Sequence, residues 1–182
     1  MLNAVIAGYS RSPFTIANKG GFKSLRPEDL LSKVIIDLIS KTNVNPEDIE
    51  DVIAGCAFPE GEQGFNIGKV VTFMCGLPKS VAGMTVNRWC GSSMQSIHNA
   101  AGSIAMGSGK VFICAGVESM SRVPMLGFNP MPHPKLLEEN PFKVPEVPAM
   151  KRDVPEDNSR PIPRSFKITE NLSTRKRFCK FR

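Results

Sequence analysis

The chain has little with which to hold a metal or a disulfide. Its 182 residues include two histidines, His98 and His133, and five cysteines. Cys56, Cys75, Cys90, Cys114 and Cys179 contain no C-x-x-C pair, and neither histidine completes a zinc-ligand spacing with them. The odd cysteine count predicts free thiols in a reducing compartment, the cytoplasm, and no metal site. No apolar run approaches the ~18 residues of a membrane span. No basic stretch precedes the short apolar run at the N-terminus, so neither a membrane partner nor a secretory signal is expected. There is no internal repeat. No G-x-G-x-x-G follows the first apolar run, which leaves a dinucleotide site without support. Gly107-Ser-Gly-Lys110 ends like a phosphate loop, but Ile104 and Val111 stand where that motif needs glycine and a hydroxyl residue.

What is present is an ordinary core-building composition, 41% apolar and 22% charged. The net charge of +6 is unevenly spread: residues 1–150 hold 13 basic and 13 acidic side chains, whereas 151–182 hold 10 and 4. The body is neutral. A basic tail points weakly to polyanions and more simply to a solvated, unfolded end, so nucleic acid is not the expected partner.

Apolar patterning divides the first 123 residues into alternating elements. Residues 4–9 (Ala-Val-Ile-Ala-Gly-Tyr) read as a buried strand. Pro27, Glu28 and Asp29 open a helix whose Leu30, Leu31, Val34, Ile35 and Leu38 recur at helical spacing. Residues 52–56 read as a second strand, 65–74 as a helix stopped by Gly76 and Pro78, and 82–86 as a third strand. Residues 91–106 read as a helix closed by Gly107, and 111–117 as a fourth strand. The alternation predicts an α/β fold, a mainly parallel sheet with helices on both faces. The third helix has almost no charged face, so it should be covered on several sides, and four strands can cover only one of them. Ten of the 15 prolines fall in residues 124–163, which read as an extended excursion; 164–182 read as a basic end.

Cys90 carries the most chemistry. It lies where the third strand turns into the third helix, in Thr85-Val-Asn-Arg-Trp-Cys-Gly-Ser-Ser-Met-Gln95. A thiol at a helix N-terminus faces unpaired N–H groups and the positive dipole end, both of which favour thiolate. Gly91, Ser92 and Ser93 leave the space before the sulfur small and polar, and a backbone N–H there can hold an oxyanion. Taken alone, a cysteine in such a turn is more often structural. His98 lies eight residues on in the same helix, roughly 12 Å along its axis, and cannot act as the base for Cys90. His133 cannot be placed from the sequence.

Val86-Asn-Arg-Trp-Cys-Gly-Ser-Ser-Met-Gln95 closely resembles the nucleophile segment of the thiolase family. Ser10-Arg-Ser-Pro13, Asp51-Val-Ile-Ala-Gly-Cys56 and Gly116-Val-Glu-Ser-Met-Ser-Arg-Val-Pro124 are similar to thiolase segments and stand in the family's order. The resemblance runs from about residue 3 to residue 140. It implies the N-terminal half of a thiolase-like layered fold, residues 1–123 as the α/β domain. A second half would normally cover the far side of the nucleophile helix. It also implies an acyltransferase that cleaves 3-ketoacyl-CoA in fatty acid β-oxidation through a Cys90 thioester. CoA thioesters would be substrates, no further cofactor would be needed, and the intact protein would be a homo-oligomer. The Cys-Gly-Ser-Ser-Met-Gln form resembles degradative thiolases more than acetoacetyl-CoA-forming ones.

The family's Gly-His-Pro, Cys-x-Gly-Gly-Gly and Asn-Glu-Ala segments, which supply the base, the second cysteine and an oxyanion hole, do not occur. Cys179 lacks a glycine-rich context, and Ile168-Thr-Glu-Asn-Leu172 only faintly echoes a further thiolase segment. Truncation, a frameshift or a damaged gene copy would each account for the departure. The chain alone is therefore expected to be inactive. The rival readings are a non-catalytic fragment with a polyanion-binding tail, a biosynthetic thiolase, and a ketoacyl synthase; Asn-Arg-Trp-Cys favours thiolase over the last.

Overall fold

The computed structural model describes residues 4–131 and 133–135. These fall into two units, 4–128 and 129–135. The first contains all the long elements: α1 (Pro27–Thr42), β1 (Asp51–Gly55), α2 (Ile67–Met74), β2 (Ala82–Val86), α3 (Ser92–Ala105) and β3 (Phe112–Gly116). Most of the expected excursion at 124–163 and the whole basic end at 164–182, Cys179 included, lie outside the described residues.

The elements form where the local chemistry calls for them. Pro27 occupies the first turn of α1, where its missing N–H costs nothing, and Glu28 and Asp29 face the positive helix end. Asn43, at φ +51, ends the helix with its N–H on the Ile39 carbonyl. α2 starts two residues later than its apolar pattern predicts, because Phe65 and Asn66 both take positive φ. β1 pairs in parallel with β2 and β3, giving the order β2-β1-β3.

The pleat of β1 sorts the core into two sides. Val52, Ala54 and Cys56 pack with Leu31 and Ile35 of α1 and with Ile67 and Val71 of α2. Ile53 faces the other way, onto Ala100 and Ile104 of α3. The result is three layers, α1 and α2 on one face of the sheet and α3 on the other, as the alternation predicts. The sheet side of α3 is a stripe of Ser92, Ser96, Ala100 and Ile104, small enough to let the helix sit close to the strands. Met94 is exposed on its far side, and Ile97 is partly exposed beside the stripe.

Residues 4–9 do not form the expected strand. They lie outside any ladder, with Val5, Ile6 and Tyr9 exposed at 41%, 65% and 69%. Their composition asks for a buried ladder, but the sheet ends at β3 among the described residues. An apolar groove of about 1440 Å³ lies between this run and β3, bordered also by Leu38 of α1 and Ile97 of α3. Composition reports a demand for burial; it does not supply the neighbouring strand. No helix among the described residues is long and apolar enough to cross a membrane.

The exposed run at 4–9 and the bare side of α3 together predict self-association. Light scattering over a dilution series should show a dimer or larger species that binds an apolar dye. A monomer at tens of micromolar that binds no dye would contradict this, and would mean that residues beyond the described ones cover these surfaces.

Candidate active site

Two glycines set the geometry. The first turn of α3 crosses the C-terminal ends of β1 and β3. A Cβ on Gly55 would lie 2.5 Å from the Ser92 carbonyl carbon and 2.5 Å from the Ser93 nitrogen; one on Gly116 would lie 1.9 Å from Ser93 Oγ. At Gly55 the obstacle is helix backbone, so only glycine fits there without moving the helix; at Gly116 it is the Ser93 side chain. Residues 87–91 are left to carry the chain from β2 into α3, and they turn sharply.

Side chains close this turn. Asn87 Oδ1 accepts from the Trp89 N–H at 2.9 Å. Ser92 Oγ accepts from the Arg88 N–H at 2.9 Å and donates to the Trp89 carbonyl at 2.6 Å. The N–H groups of Gly91 and Ser92 donate to the carbonyls of Arg88 and Trp89, both at 3.0 Å. Between these bonds Trp89 is held at φ +51, a conformation that costs a bulky residue about 1 kcal/mol or more. Its ring meets Phe58 edge-to-face at 5.9 Å. Cys90 follows, exposed, immediately before the helix N-cap Gly91. A strained strand-to-helix turn is a recurrent way of lifting a nucleophile clear of a sheet.

Ser92 departs from its expected place in the space before the sulfur. It is buried, and its hydroxyl is spent inside the turn. Ser93 is exposed, and its Oγ lies against Gly116 at the end of β3.

The other described cysteines are poor nucleophiles for physical reasons. Burial, with the Glu118 carboxylate nearby, pushes the Cys56 thiol up to about 12. Burial likewise raises Cys75, whose thiol points at the Ser32 carbonyl at 3.6 Å. Cys114 is half-buried and its thiol faces the Ser96 carbonyl at 3.5 Å. His98 is exposed further along α3. His133 belongs to the second unit, where its Nδ1 accepts from the Lys135 N–H at 3.2 Å.

Sequence reasoning missed the residues that tie the strand ends together. Gln63 is fully buried; its amide donates to the Phe58 carbonyl at 2.8 Å and to Glu118 Oε1 at 2.6 Å, and accepts from the Ser119 N–H at 2.6 Å. Glu118 Oε2 accepts from the Ala57 N–H at 2.7 Å. Glu62, on the same 3-10 turn (Gly61–Gln63), pairs with Arg26 at 3.1 Å and with Arg122, and the cations hold its carboxyl below the usual range. Gln63 lies in a stretch free of periodicity and carries no local signal, whereas Glu118 stands out only within the segment Gly116–Pro124.

The site is a three-layered α/β unit with an exposed cysteine at a strand-to-helix turn, and comparison with known proteins places it in a family. The family model described as "Thiolase, N-terminal domain" matches residues 4–143. A 3-ketoacyl-CoA thiolase of Colwellia psychrerythraea is 46% identical over 127 residues, covering 69% of this chain and 33% of that protein. A 3-ketoacyl-CoA thiolase of Bacillus subtilis is 40% identical over 141 residues, covering 78% and 36%. The crystal structure of the Bacillus anthracis acetyl-CoA acetyltransferase superposes with a TM-score of 0.64 at 32% identity, covering 68% of this chain and 31% of that one. The chain belongs to the thiolase family. It matches that family's N-terminal domain and spans about a third of the length of the curated relatives.

Exposure and the pKa of about 12 at Cys56 make the cysteines distinguishable, since that value leaves roughly one Cys56 in ten thousand ionised at pH 8. Limiting iodoacetamide near neutral pH, with adducts mapped by mass spectrometry, should label Cys90 ahead of Cys56, Cys75 and Cys114. Preferential labelling of any of those three in folded protein would count against the site.

Proposed function

We propose that Cys90 is the acyl-accepting nucleophile of a 3-ketoacyl-CoA thiolase, and that this chain carries the nucleophile portion of that reaction. The observation that supports it is the exposed position of Cys90, at the end of a strained turn within the matched thiolase domain. The names of relatives at 40–46% identity favour the degradative reaction.

In that reaction the Cys90 thiolate attacks the keto carbonyl carbon of a 3-ketoacyl-CoA. The tetrahedral oxyanion collapses, the bond between the α-carbon and the keto carbon breaks, and its electron pair goes to the α-carbon of the departing acetyl-CoA enolate. A general acid protonates that carbon. The shortened acyl group stays on sulfur as a thioester. The thiolate of a second CoA attacks it, the acyl–Cys90 bond breaks, and acyl-CoA leaves.

Two proton movements in this scheme have no donor or acceptor assigned among the described residues. His98 cannot serve Cys90, and the thiolase-like histidine and second-cysteine motifs do not occur in the sequence. We therefore assign those groups to the family's remaining length, and propose that a homo-oligomer carries out the complete reaction, the thiolytic step of fatty acid β-oxidation, in the reducing cytoplasm where free thiols persist.

Catalytic groups that act together lose several orders of magnitude when separated. With acetoacetyl-CoA and CoA, this chain should turn over far below about 1 s⁻¹. Turnover at that rate, abolished by Cys90→Ser, would show that the missing proton carriers are within the chain. Turnover that survives Cys90→Ser would remove Cys90 from the nucleophile's role.

A further inference from the structure

We infer that Asn87 is a positioning residue for Cys90, and that Glu118 and Gln63 act on the same turn through the backbone on either side of Ala57; this rests on the reading of Cys90 as the nucleophile. The three loops that leave the C-terminal ends of β1, β2 and β3 are joined in one line of hydrogen bonds. It starts at Gln63, whose amide bonds both Glu118 and the Ser119 N–H after β3. Glu118 Oε2 accepts from the Ala57 N–H after β1 at 2.7 Å. The carbonyl of the same residue accepts from Asn87 Nδ2 at 2.9 Å, and Asn87 Oδ1 accepts from the Trp89 N–H at 2.9 Å. Cys90 is the next residue.

Each link has a chemical reason. Ala57 offers its N–H to Glu118 and its carbonyl to Asn87, so the two successive peptide units that meet at its Cα are each held by one of these side chains. Asn87 uses its donor on Ala57 and its acceptor on Trp89, the two ends of one carboxamide serving both at once. Gln63 has no exposure, and both ends of its amide are bonded, so it cannot rotate to serve another partner. Phe58, the neighbour of Ala57, adds its edge-to-face contact with the Trp89 ring. The line thus ends on the one residue of the turn whose backbone is strained. Release of Trp89 to negative φ would rotate the peptide that carries Cys90.

Trp89 is the sole tryptophan of the chain, so its fluorescence reports this turn alone. Asn87→Asp tests the line with little risk to folding, because Asn87 is exposed and the new side chain keeps the acceptor for the Trp89 N–H while losing the donor to Ala57. Glu118→Gln is the second variant. Two quantities are read: Trp89 anisotropy, and the ratio of Cys90 alkylation rates in folded and urea-unfolded chain. Continued protection of Cys56 and Cys75 reports an intact core. Both variants should lower the anisotropy and move the rate ratio at least about threefold toward one, the scale of a single hydrogen bond. The double variant should add little to the larger single effect, because the two residues act in series. Unchanged anisotropy, with an unchanged ratio, in variants that keep Cys56 and Cys75 protected would overturn the inference. Additive effects would overturn the series arrangement. A parent ratio already equal to one would instead refute Cys90 as an activated nucleophile, and the anisotropy would still decide the role of Asn87.

Discussion

The approach of α3 to Gly55 and Gly116 is the contact on which the rest of the site depends. A helix resting on strand ends at this distance leaves residues 87–91 no room for a wide loop. The chain makes a tight turn, Trp89 takes positive φ, and Cys90 is carried into solvent while the other described cysteines stay wholly or partly covered. One packing constraint thereby separates an exposed thiol from three wholly or partly covered ones.

Polar groups then fix what the close packing allows. Ser92 closes the turn from inside, Asn87 from the β1 side, and Gln63 with Glu118 joins the ends of β1 and β3 behind it. These bonds offset the strain at Trp89, since each is worth about 0.5–1.5 kcal/mol net. Glu62 extends the same stiffening outward by bridging Arg26 at the start of α1 to Arg122 after β3. The functional end of the sheet is the bonded end, whereas the groove beside β3 and residues 4–9 is where the described unit is least complete.

Much of the fold was legible because it is written in local patterns. Pro27 with two acidic neighbours marks a helix start, and alternating apolar runs separated by helical ones mark a parallel sheet. Cys90 was legible from its place between a strand and a small-residue helix start. Residues 4–9 misled because a strand is half defined by its neighbour, and a single sequence does not reveal whether that neighbour is supplied. Ser92 misled because a hydroxyl two residues after a cysteine can face the sulfur or the turn, and backbone geometry decides. Gln63 and Glu118, 55 residues apart, meet only once β1 and β3 are side by side.

The central claim is that this turn presents Cys90 as an acyl acceptor, and acyl transfer itself tests it most directly. Folded chain, urea-unfolded chain and Cys90→Ser should each be incubated with acetyl-CoA near neutral pH and their cysteine peptides mapped by mass spectrometry. The account predicts an acetyl thioester on Cys90 of the folded chain, formed faster than on any cysteine of the unfolded chain and absent from the serine variant. Acetylation of Cys90 at the same rate in folded and unfolded chains, or preferentially at Cys56, Cys75 or Cys114, would contradict it.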